Sequence, residues 1–318
     1  MMNSRTITSE VRALHFRSLV DEIRSDRASG AAKQTLRAAR LLGECSQYAP
    51  DDLPEIAAAL IAAQPATGSV YNLVKLALRS PDVAVACQEF LESMERSAAR
   101  VAEITAALVS DGATVMTHSF SSTILTALRE ASHGGKRFSV ICPESRPICE
   151  GIAMAASLGM SGIAASLIAD SAIHRMLSEA RLVLVGADAV SPRGIFNKTG
   201  TALLALSARE LGVPVYVLCS SCKFLPRFYE PPPETLKDPR ELLEHDVPHV
   251  TVVNYHFDMT PLDYVSGIVT EAGVLTPAEL RKMLLLEPGA RTEPALPGPV
   301  KPEDAAPATL RPQYEHTC

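Results

Sequence analysis

The sequence lacks the features that would place a protein in a membrane, in a secretory route or on nucleic acid. Its apolar stretches all fall short of the roughly 18 uninterrupted residues of a transmembrane helix, so we expect no membrane association. The first residues carry no apolar core of signal-peptide length, which predicts a cytoplasmic protein. Tryptophan is absent, and the net charge of −6 argues against a nucleic-acid partner.

Cysteine is scarce and shows no metal-binding or disulfide pattern. The seven cysteines are odd in number and lie scattered through apolar stretches, which is typical of reduced thiols in the cytosol. Cys219 and Cys222 form a CxxC pair, but no second pair and no nearby histidine completes a zinc site. The sequence therefore predicts no metal site and no cofactor, and it leaves redox chemistry at this pair as a minor alternative.

Three regions follow one another along the chain. Residues 1–108 carry apolar positions at helical spacing, as in VRALHFRSLVDEI, and predict a helical N-terminal domain. Residues 109–286 alternate short β-rich runs, the weakest of them HVTVVNY, with amphipathic helical runs. This alternation predicts an α/β ligand-binding domain with a Rossmann-like, doubly wound parallel sheet covered on both faces. Residues 287–318 hold seven prolines and predict a disordered tail.

Polar residues follow the predicted strands at the edge where ligands of doubly wound sheets bind. Ser and Asp at such places also cap helices, and Arg146 is equally suited to pairing with Glu144. Polar strand ends that all meet at one rim are nevertheless hard to assign to capping alone. The sequence therefore predicts one small-molecule site that gathers Ser119, Ser121, Glu144, Arg146, Asp170, Asp188 and Lys223.

Two segments of this rim suggest specific chemistry. Asp188 follows the apolar run RLVLVGA, so partial desolvation should raise its pKa and suit it to general acid catalysis. Residues 194–201 combine small residues, Lys198 and a predicted helix start, which is similar in kind to a phosphate cradle, although the Walker pattern is absent. His118 could act as a base, but an isolated histidine at a strand end is more often a structural hydrogen-bonding group.

Four segments of this region together resemble one known family: THSFSST, PESRPICEG, IADSAIHRM with VLVGADAV, and NKTGTALLALSARELGVPVYVLCSSCKF. The family unites the α, β and δ subunits of translation initiation factor 2B with methylthioribose-1-phosphate isomerase and ribose-1,5-bisphosphate isomerase. FDMTPLDYVSGIVTEAGVLTP continues the resemblance, and SDRASGAA is similar to the family's N-terminal phosphate-loop segment. The resemblance therefore covers most of residues 20–285.

The resemblance implies a fold, an assembly and a set of site residues. It implies an N-terminal helical domain joined to a Rossmann-like domain, and homodimers or larger homo-oligomers formed through the C-terminal domain. It implies that Asp188 is the proton donor of an isomerase and that Ser119 occupies the position of the catalytic cysteine, which accepts the proton. It implies that the ligand is a sugar phosphate, bound by Ser29, Gly30, Ala31, Ala32, Asn197, Lys198 and Lys223. The polar strand ends add Ser121 and Arg146 to the predicted binding residues.

The chain departs from the isomerases at two positions. Ser119 replaces the catalytic cysteine, and an alkyl hydroxyl is no comparable base without a partner that takes its proton. Otherwise another group, such as Cys142, would have to replace the missing base. Gln64 stands where the isomerases carry an arginine, which removes a phosphate-binding charge. The first expected function is that of an aldose–ketose isomerase similar to ribose-1,5-bisphosphate isomerase. The alternatives are a non-catalytic regulatory subunit resembling the α subunit of initiation factor 2B, which binds a sugar phosphate or nucleotide, and a translation-factor subunit of an exchange complex.

Overall fold

The computed structural model describes residues 4–26, 29–229, 231–232 and 234–286. The predicted disordered tail, residues 287–318, lies outside these ranges. Within them, no helix combines the length and the apolar character that crossing a bilayer requires.

The N-terminal part of the described chain packs helices around a shared apolar core. These helices are α1 (Ser4–Ser25), α2 (Ala31–Tyr48), α3 (Leu53–Ala63), α4 (Gly68–Arg79) and α5 (Val83–Leu108). Leu42, Leu60 and Leu73, one each from α2, α3 and α4, are fully buried in this core. Pro54 lies in the first turn of α3, where its missing N–H costs no hydrogen bond. Asp82 caps α5 by accepting a hydrogen bond from a backbone amide of the first turn.

Strands and helices alternate from residue 114 onward. The strands are β1 (Thr114–Thr117), β2 (Ser139–Pro143), β3 (Ala164–Ile168), β4 (Leu182–Gly186), β5 (Ala189–Ser191), β6 (Gly194–Lys198), β7 (Val215–Leu218), β8 (Phe257–Thr260), β9 (Gly267–Thr270) and β10 (Gly273–Leu275). The helices are α6 (Ser122–His133), α7 (Glu150–Met160), α8 (Ile173–Leu177), α9 (Thr201–Glu210) and α10 (Pro277–Leu286). The predicted strand in HVTVVNY is wrong, because the strand of this region begins only at Phe257.

A seven-stranded sheet carries the fold, in the order β10-β9-β7-β4-β1-β2-β3, and only β10 runs antiparallel to its neighbour. Alternate residues of its central strands face opposite cores. In β1, Val115 packs with residues of α5, α6 and α7, whereas Met116 packs with residues of α8, α9 and α10. Met116 is in register with Ile141 of β2 and Val183 of β4. This arrangement confirms the predicted α/β fold with N-terminal helices and a mostly parallel sheet.

The winding of the sheet reverses between β1 and β4. The chain builds outward from β1 through β2 and β3, and then returns to β4 on the other side of β1 before it reaches β7 and β9. Doubly wound sheets form their ligand clefts at this point, beyond the carboxyl ends of the strands. A small antiparallel sheet, β5-β6-β8, follows β4 directly in the chain. We propose that the helical part and the part that contains the sheet form two domains, divided after residue 108.

Candidate functional site

A cleft of about 1790 Å³ opens beyond the carboxyl ends of β1 and β4. Its walls include the starts of α2, α6 and α7, strand β6 and the turn after β7. The predicted site residues that line it are Ser29, Gly30, Ala31, Ala32, Ser119, Ser121, Asp188, Asn197, Lys198 and Lys223. The N-terminal helices and the sheet therefore contribute to one site.

The backbone of Asp188 ties the end of β4 to both neighbouring parts of the structure. Its N–H donates to the carbonyl of Phe196 in β6 at 2.8 Å. Its carbonyl accepts from the N–H of Gly68, the first residue of α4, at 2.9 Å. A Cβ at Gly68 would lie 2.3 Å from the Lys223 carbonyl, so only glycine permits this close approach. Asp188 is thus fixed where helices and sheet meet.

The carboxyl group of Asp188 has the electrostatics of an acid that works near neutral pH. Burial raises its pKa from the ordinary value of 3.8 to about 6. The ammonium of Lys223 opposes this rise, the carboxylate of Glu150 adds to it, and the ammonium of Lys198 opposes it again. A group with this pKa carries a transferable proton close to the pH at which most enzymes operate.

Lys198 and Glu150 form an ion pair in the same cleft. The Nζ atom of Lys198 lies 2.9 Å from Oε2 and 3.0 Å from Oε1 of Glu150. The Lys198 side chain is only 5% exposed and that of Glu150 only 21%, so the pair is largely removed from water. Sequence reasoning missed Glu150, although the residue lies inside the segment PESRPICEG. An acid in the first turn of a helix usually signals only a favourable interaction with the helix dipole, and the partner is 48 residues away.

Lys223 and Asn197 place a cation and an amide beside Asp188. The Lys223 ammonium donates to the carbonyl of Ala187 at 2.6 Å, which leaves two of its three protons for a ligand. Asn197 points its Nδ2 group at the Thr201 hydroxyl at 3.0 Å, and this bond orients the amide at the start of α9. Asn197 lies within β6, whereas Lys223 lies in the turn that follows β7.

Ser119 lies in a strained turn held by Ser145. The backbone of Ser119 has a positive φ of 62°, and its N–H donates to Ser145 Oγ at 2.8 Å. Ser145 Oγ is also 3.4 Å from His118 Nδ1, and His118 Nε2 donates to the Thr199 carbonyl at 2.8 Å. Burial lowers the pKa of His118, so the ring is neutral, and its two nitrogens are occupied by structural bonds. This agrees with the structural role expected for His118.

Arg146, Asp170 and Glu144 are not brought into the cleft. The Asp170 carboxylate instead accepts from the N–H of Ser145 at 2.8 Å and from the N–H of Arg146 at 2.7 Å. The Arg146 guanidinium is exposed and donates to the Glu241 carbonyl at 3.2 Å. Asp170 therefore stabilises the loop that positions Ser119, and the side chains of Asp170 and Arg146 both lie outside the cleft lining.

The start of α2 presents backbone amides to the opposite wall of the cleft. Gly30 is the N-cap residue and has no side-chain cap, and the first amides bonded within the helix are those of Lys33 and Gln34, both to the Gly30 carbonyl. Ala31 and Ala32 precede them in a helix of 18 residues, so their N–H groups point out of the helix toward the cleft. The positive end of the helix dipole lies at the same place. Gln64 also lines the cleft, but its amide donates to the Ile23 carbonyl at 2.9 Å.

The start of α9, in contrast, is already occupied by a carboxylate of the protein. Asp258 accepts from the N–H of Gly200 at 2.7 Å and from the N–H of Ala202 at 3.3 Å. Burial raises the pKa of Asp258 to about 6. Residues 194–198 form β6 rather than a loop, so the interpretation of residues 194–201 as a phosphate cradle is wrong. Lys198 reaches the cleft from a strand.

Cys142 is not placed to replace the missing base. Cys142 is fully buried in the core, does not line the cleft, and burial raises its pKa to about 12. Burial also raises the pKa values of Cys219 and Cys222, which argues against reactive thiols there. Cys149, which the sequence did not single out, does line the cleft. Among the described residues, no cluster of His, Cys, Asp and Glu side chains could hold a metal ion.

The fold and the cleft define a class of protein: a doubly wound α/β protein with N-terminal helices and a cleft of mixed charge at its switch point. The chain belongs to the initiation factor 2 subunit family, whose sequence model matches residues 17–277. It is 36% identical over 271 residues to a putative translation initiation factor eIF-2B subunit 2-like protein of Pyrococcus horikoshii, covering 81% of this chain and 95% of that protein. It is 34% identical over 276 residues to a ribose 1,5-bisphosphate isomerase of Archaeoglobus fulgidus, covering 81% and 88%.

Solved structures agree with this membership. The translation initiation factor eIF-2B of Pyrococcus horikoshii OT3 matches with a TM-score of 0.75 and 32% identity, over 83% of this chain and 97% of that one. The 5-methylthioribose 1-phosphate isomerase of the same organism shares the fold, with a TM-score of 0.67 and 21% identity over 86% and 87%. The fold is also that of a tetrameric eIF2B β2δ2 complex from C. thermophilum, with a TM-score of 0.66 and 21% identity over 89% and 98%.

Proposed function

We propose that the chain is an aldose–ketose isomerase of a sugar phosphate, most similar in substrate to the ribose 1,5-bisphosphate isomerases. The observation that carries this proposal is Asp188, a carboxyl group of pKa about 6 between two lysines in a cleft at the switch point of the sheet. An acid of this kind has no structural purpose that an amide would not serve better, because burial of an ionisable carboxyl disfavours folding at neutral pH.

The cleft supplies the parts that such a reaction needs. The amides of Ala31 and Ala32 at the start of α2 suit a phosphate group, because a helix N-terminus favours negative charge. Lys223 donates to a second anionic or hydroxyl oxygen close to Asp188. Asp188 gives its proton to the ring oxygen of the bound aldose phosphate, which assists ring opening before the hydrogen moves from C2 to C1.

A second candidate function is a binder without turnover, a regulatory subunit resembling the α subunit of initiation factor 2B that holds a sugar phosphate or nucleotide. The observation that favours it is Ser119, whose backbone N–H is bonded to Ser145 while both ring nitrogens of the neighbouring His118 are engaged elsewhere. A serine without a base partner is a poor proton acceptor. The relatives named as initiation-factor subunits are consistent with this candidate.

Turnover and binding separate the two candidates. We predict that ³¹P NMR will follow conversion of ribose 1,5-bisphosphate to a ketose phosphate, with methylthioribose 1-phosphate as the comparison substrate. Tight binding of ribose 1,5-bisphosphate by calorimetry without any conversion would reject the isomerase and support the binder. In that case Ser119→Cys is the informative variant, since a restored thiol should create activity if its loss silenced the site.

We also propose that the chain forms a homodimer in the cytoplasm. Support for self-association comes from an exposed apolar edge of the sheet, where all side chains of β3 are partly or fully exposed. Nucleic acid is not among the proposed partners, in keeping with the negative net charge of the chain.

A further inference from the structure

Glu150 is a carboxylate of the cleft that neutralises the buried Lys198 and still faces the space where a ligand would bind. It begins α7, lines the cleft and pairs with Lys198 through both oxygens. A phosphate-binding lysine should be free for the ligand, yet this one faces an acid inside the protein. We propose that Glu150 is the catalytic base that takes the C2 proton of the sugar phosphate, in the place of the missing thiol. This inference rests on the proposed isomerase function.

The surroundings of Glu150 and Asp188 separate the tasks of the two carboxyl groups. Asp188 keeps a proton near neutral pH because burial raises its pKa. Glu150 lies 2.9 Å from the Lys198 ammonium group, and both of its oxygens face that cation. The two are close enough for the charge of Glu150 to raise the pKa of Asp188. A buried carboxyl group and a second carboxyl group that faces an ammonium group, close together in one cleft, form an arrangement in which one can act as the acid and the other as the base.

The other candidates for a base in this part of the cleft have structural bonds or lie elsewhere. The nitrogens of His118 contact the Thr199 carbonyl and the Ser145 hydroxyl. Cys142 is in the core. Cys149 lines the cleft next to Glu150, and its thiol lies 3.8 Å from the Pro147 carbonyl. Cys149 is therefore the competing assignment that an experiment must exclude.

The proposed step balances without any co-reactant. Asp188 gives its proton to the ring oxygen, and the ring C1–O bond breaks. Glu150 takes the proton from C2, the electron pair of that C–H bond forms the C1–C2 double bond of an enol, and Glu150 then returns the proton to C1. The hydroxyl proton on C2 passes to Asp188 as the ketone forms. C2 has lost one hydrogen, C1 has gained one, and both carboxyl groups are restored.

The ion pair makes a specific signature possible. Glu150→Gln keeps the shape and an oxygen that accepts from Lys198, but it removes the charge that neutralises this lysine. A bound phosphate should then meet a stronger positive field, so anion binding stays the same or becomes tighter while turnover falls. A residue that only positions Lys198 would give the opposite result, with weaker binding.

The test compares Glu150→Gln with wild type and with Glu130→Gln, an exposed glutamate of α6 that lies outside the cleft. We expect kcat for ribose 1,5-bisphosphate to fall by about 100-fold or more in Glu150→Gln, as for loss of a general base. Calorimetry with inorganic phosphate should give an unchanged or lower Kd. The residual reaction on substrate deuterated at C2 should show a larger isotope effect than wild type, because proton abstraction has become the slow step. Glu130→Gln should match wild type throughout.

A kcat near the wild-type value in Glu150→Gln, or a rise in the phosphate Kd that accounts for the loss, would overturn the assignment of Glu150. So would a larger loss of kcat in Cys149→Ser than in Glu150→Gln. If wild type converts no ribose 1,5-bisphosphate, the proposed isomerase function is rejected. This outcome is distinct from a loss of activity in Glu150→Gln alone.

Discussion

Asp188 and Glu150 show how one cleft gives two carboxyl groups different chemistry. Asp188 owes its raised pKa mainly to burial, and the run of apolar residues before it made this predictable. Glu150 pairs with Lys198, which is remote in sequence, so no local pattern could identify this contact. Arg146 lies outside the cleft lining because of a contact that is also remote in sequence. The Asp170 carboxylate binds the loop backbone and leaves the guanidinium outside.

The buried carboxyl of Asp188 predicts a pH-dependent change in stability. Its pKa is about 6 in the folded state and ordinarily 3.8, so the folded state binds more protons between these values. The stability that this group contributes is present below about pH 4 and is lost as the pH rises through about 6. The free energy of unfolding of Asp188→Asn, taken relative to wild type, should therefore be about 1–2 kcal/mol higher at pH 7 than at pH 4. This value is smaller than the full pKa shift would give, because Asp188 is partly exposed.

Urea denaturation of both proteins at pH 4 and pH 7 measures this difference. An identical stability difference at the two pH values would contradict the raised pKa. The activity should change with pH in the same direction as the stability, because Asp188 must be protonated to act as the acid. Turnover should fall as the pH rises above about 6.

At the scale of the element, α9 illustrates what the sequence could and could not predict. The helix was expected, but the carboxylate that caps it belongs to Asp258 in β8, a strand predicted too early in the chain. The alternation in HVTVVNY is a strand pattern, yet a strand needs a partner with free backbone groups, and β6 pairs with residues 257–260 instead. Strand length does not explain why the small sheet was missed, since its strands of three to five residues are as short as those of the main sheet, but β6 and β8 carry polar residues such as Asn197, Lys198 and Asp258 that interrupt an apolar strand pattern.

Two glycines at the ends of α9 give a matched pair of variants. Gly200 has a φ of +98°, and a Cβ there would lie 3.0 Å from His118 Nε2. Gly212 has a φ of +70° and open space around it. We predict that Gly212→Ala loses about 1 kcal/mol from backbone strain alone and that Gly200→Ala loses more, because His118 must also move. Urea denaturation tests this, and equal losses would show that the His118 contact is unimportant.

At the scale of the whole molecule, the edge of the sheet at β3 stands out. The sequence of β3 is apolar enough to predict a strand buried on both faces, but its side chains are exposed, and Leu167 is 50% exposed. Ile152 and Met160 of the neighbouring α7 are exposed as well, at 47% and 82%. An unprotected apolar edge of this kind invites pairing with a partner. The apolar pattern of β3 therefore predicts burial of this strand correctly only if another chain covers this edge of the sheet.

We therefore predict that the 34.0 kDa chain runs at about twice this mass in light scattering, and that Met160→Glu shifts it toward the monomer. Val85→Glu, at an exposed apolar position of α5, serves as the control and should remain a dimer. A monomeric wild type, or equal behaviour of the two variants, would contradict a dimer through this edge.

The central claim is that this cleft isomerises a sugar phosphate with Asp188 as the acid. ¹³C NMR of ribose 1,5-bisphosphate labelled at C1 tests it most directly, because isomerisation turns the ring carbon C1 into the CH₂ carbon of a phosphate ester. The account predicts that wild type replaces the first signal by the second and that Asp188→Asn does so about 100-fold more slowly or worse. An unchanged spectrum with wild type, or equal conversion by Asp188→Asn, would contradict it.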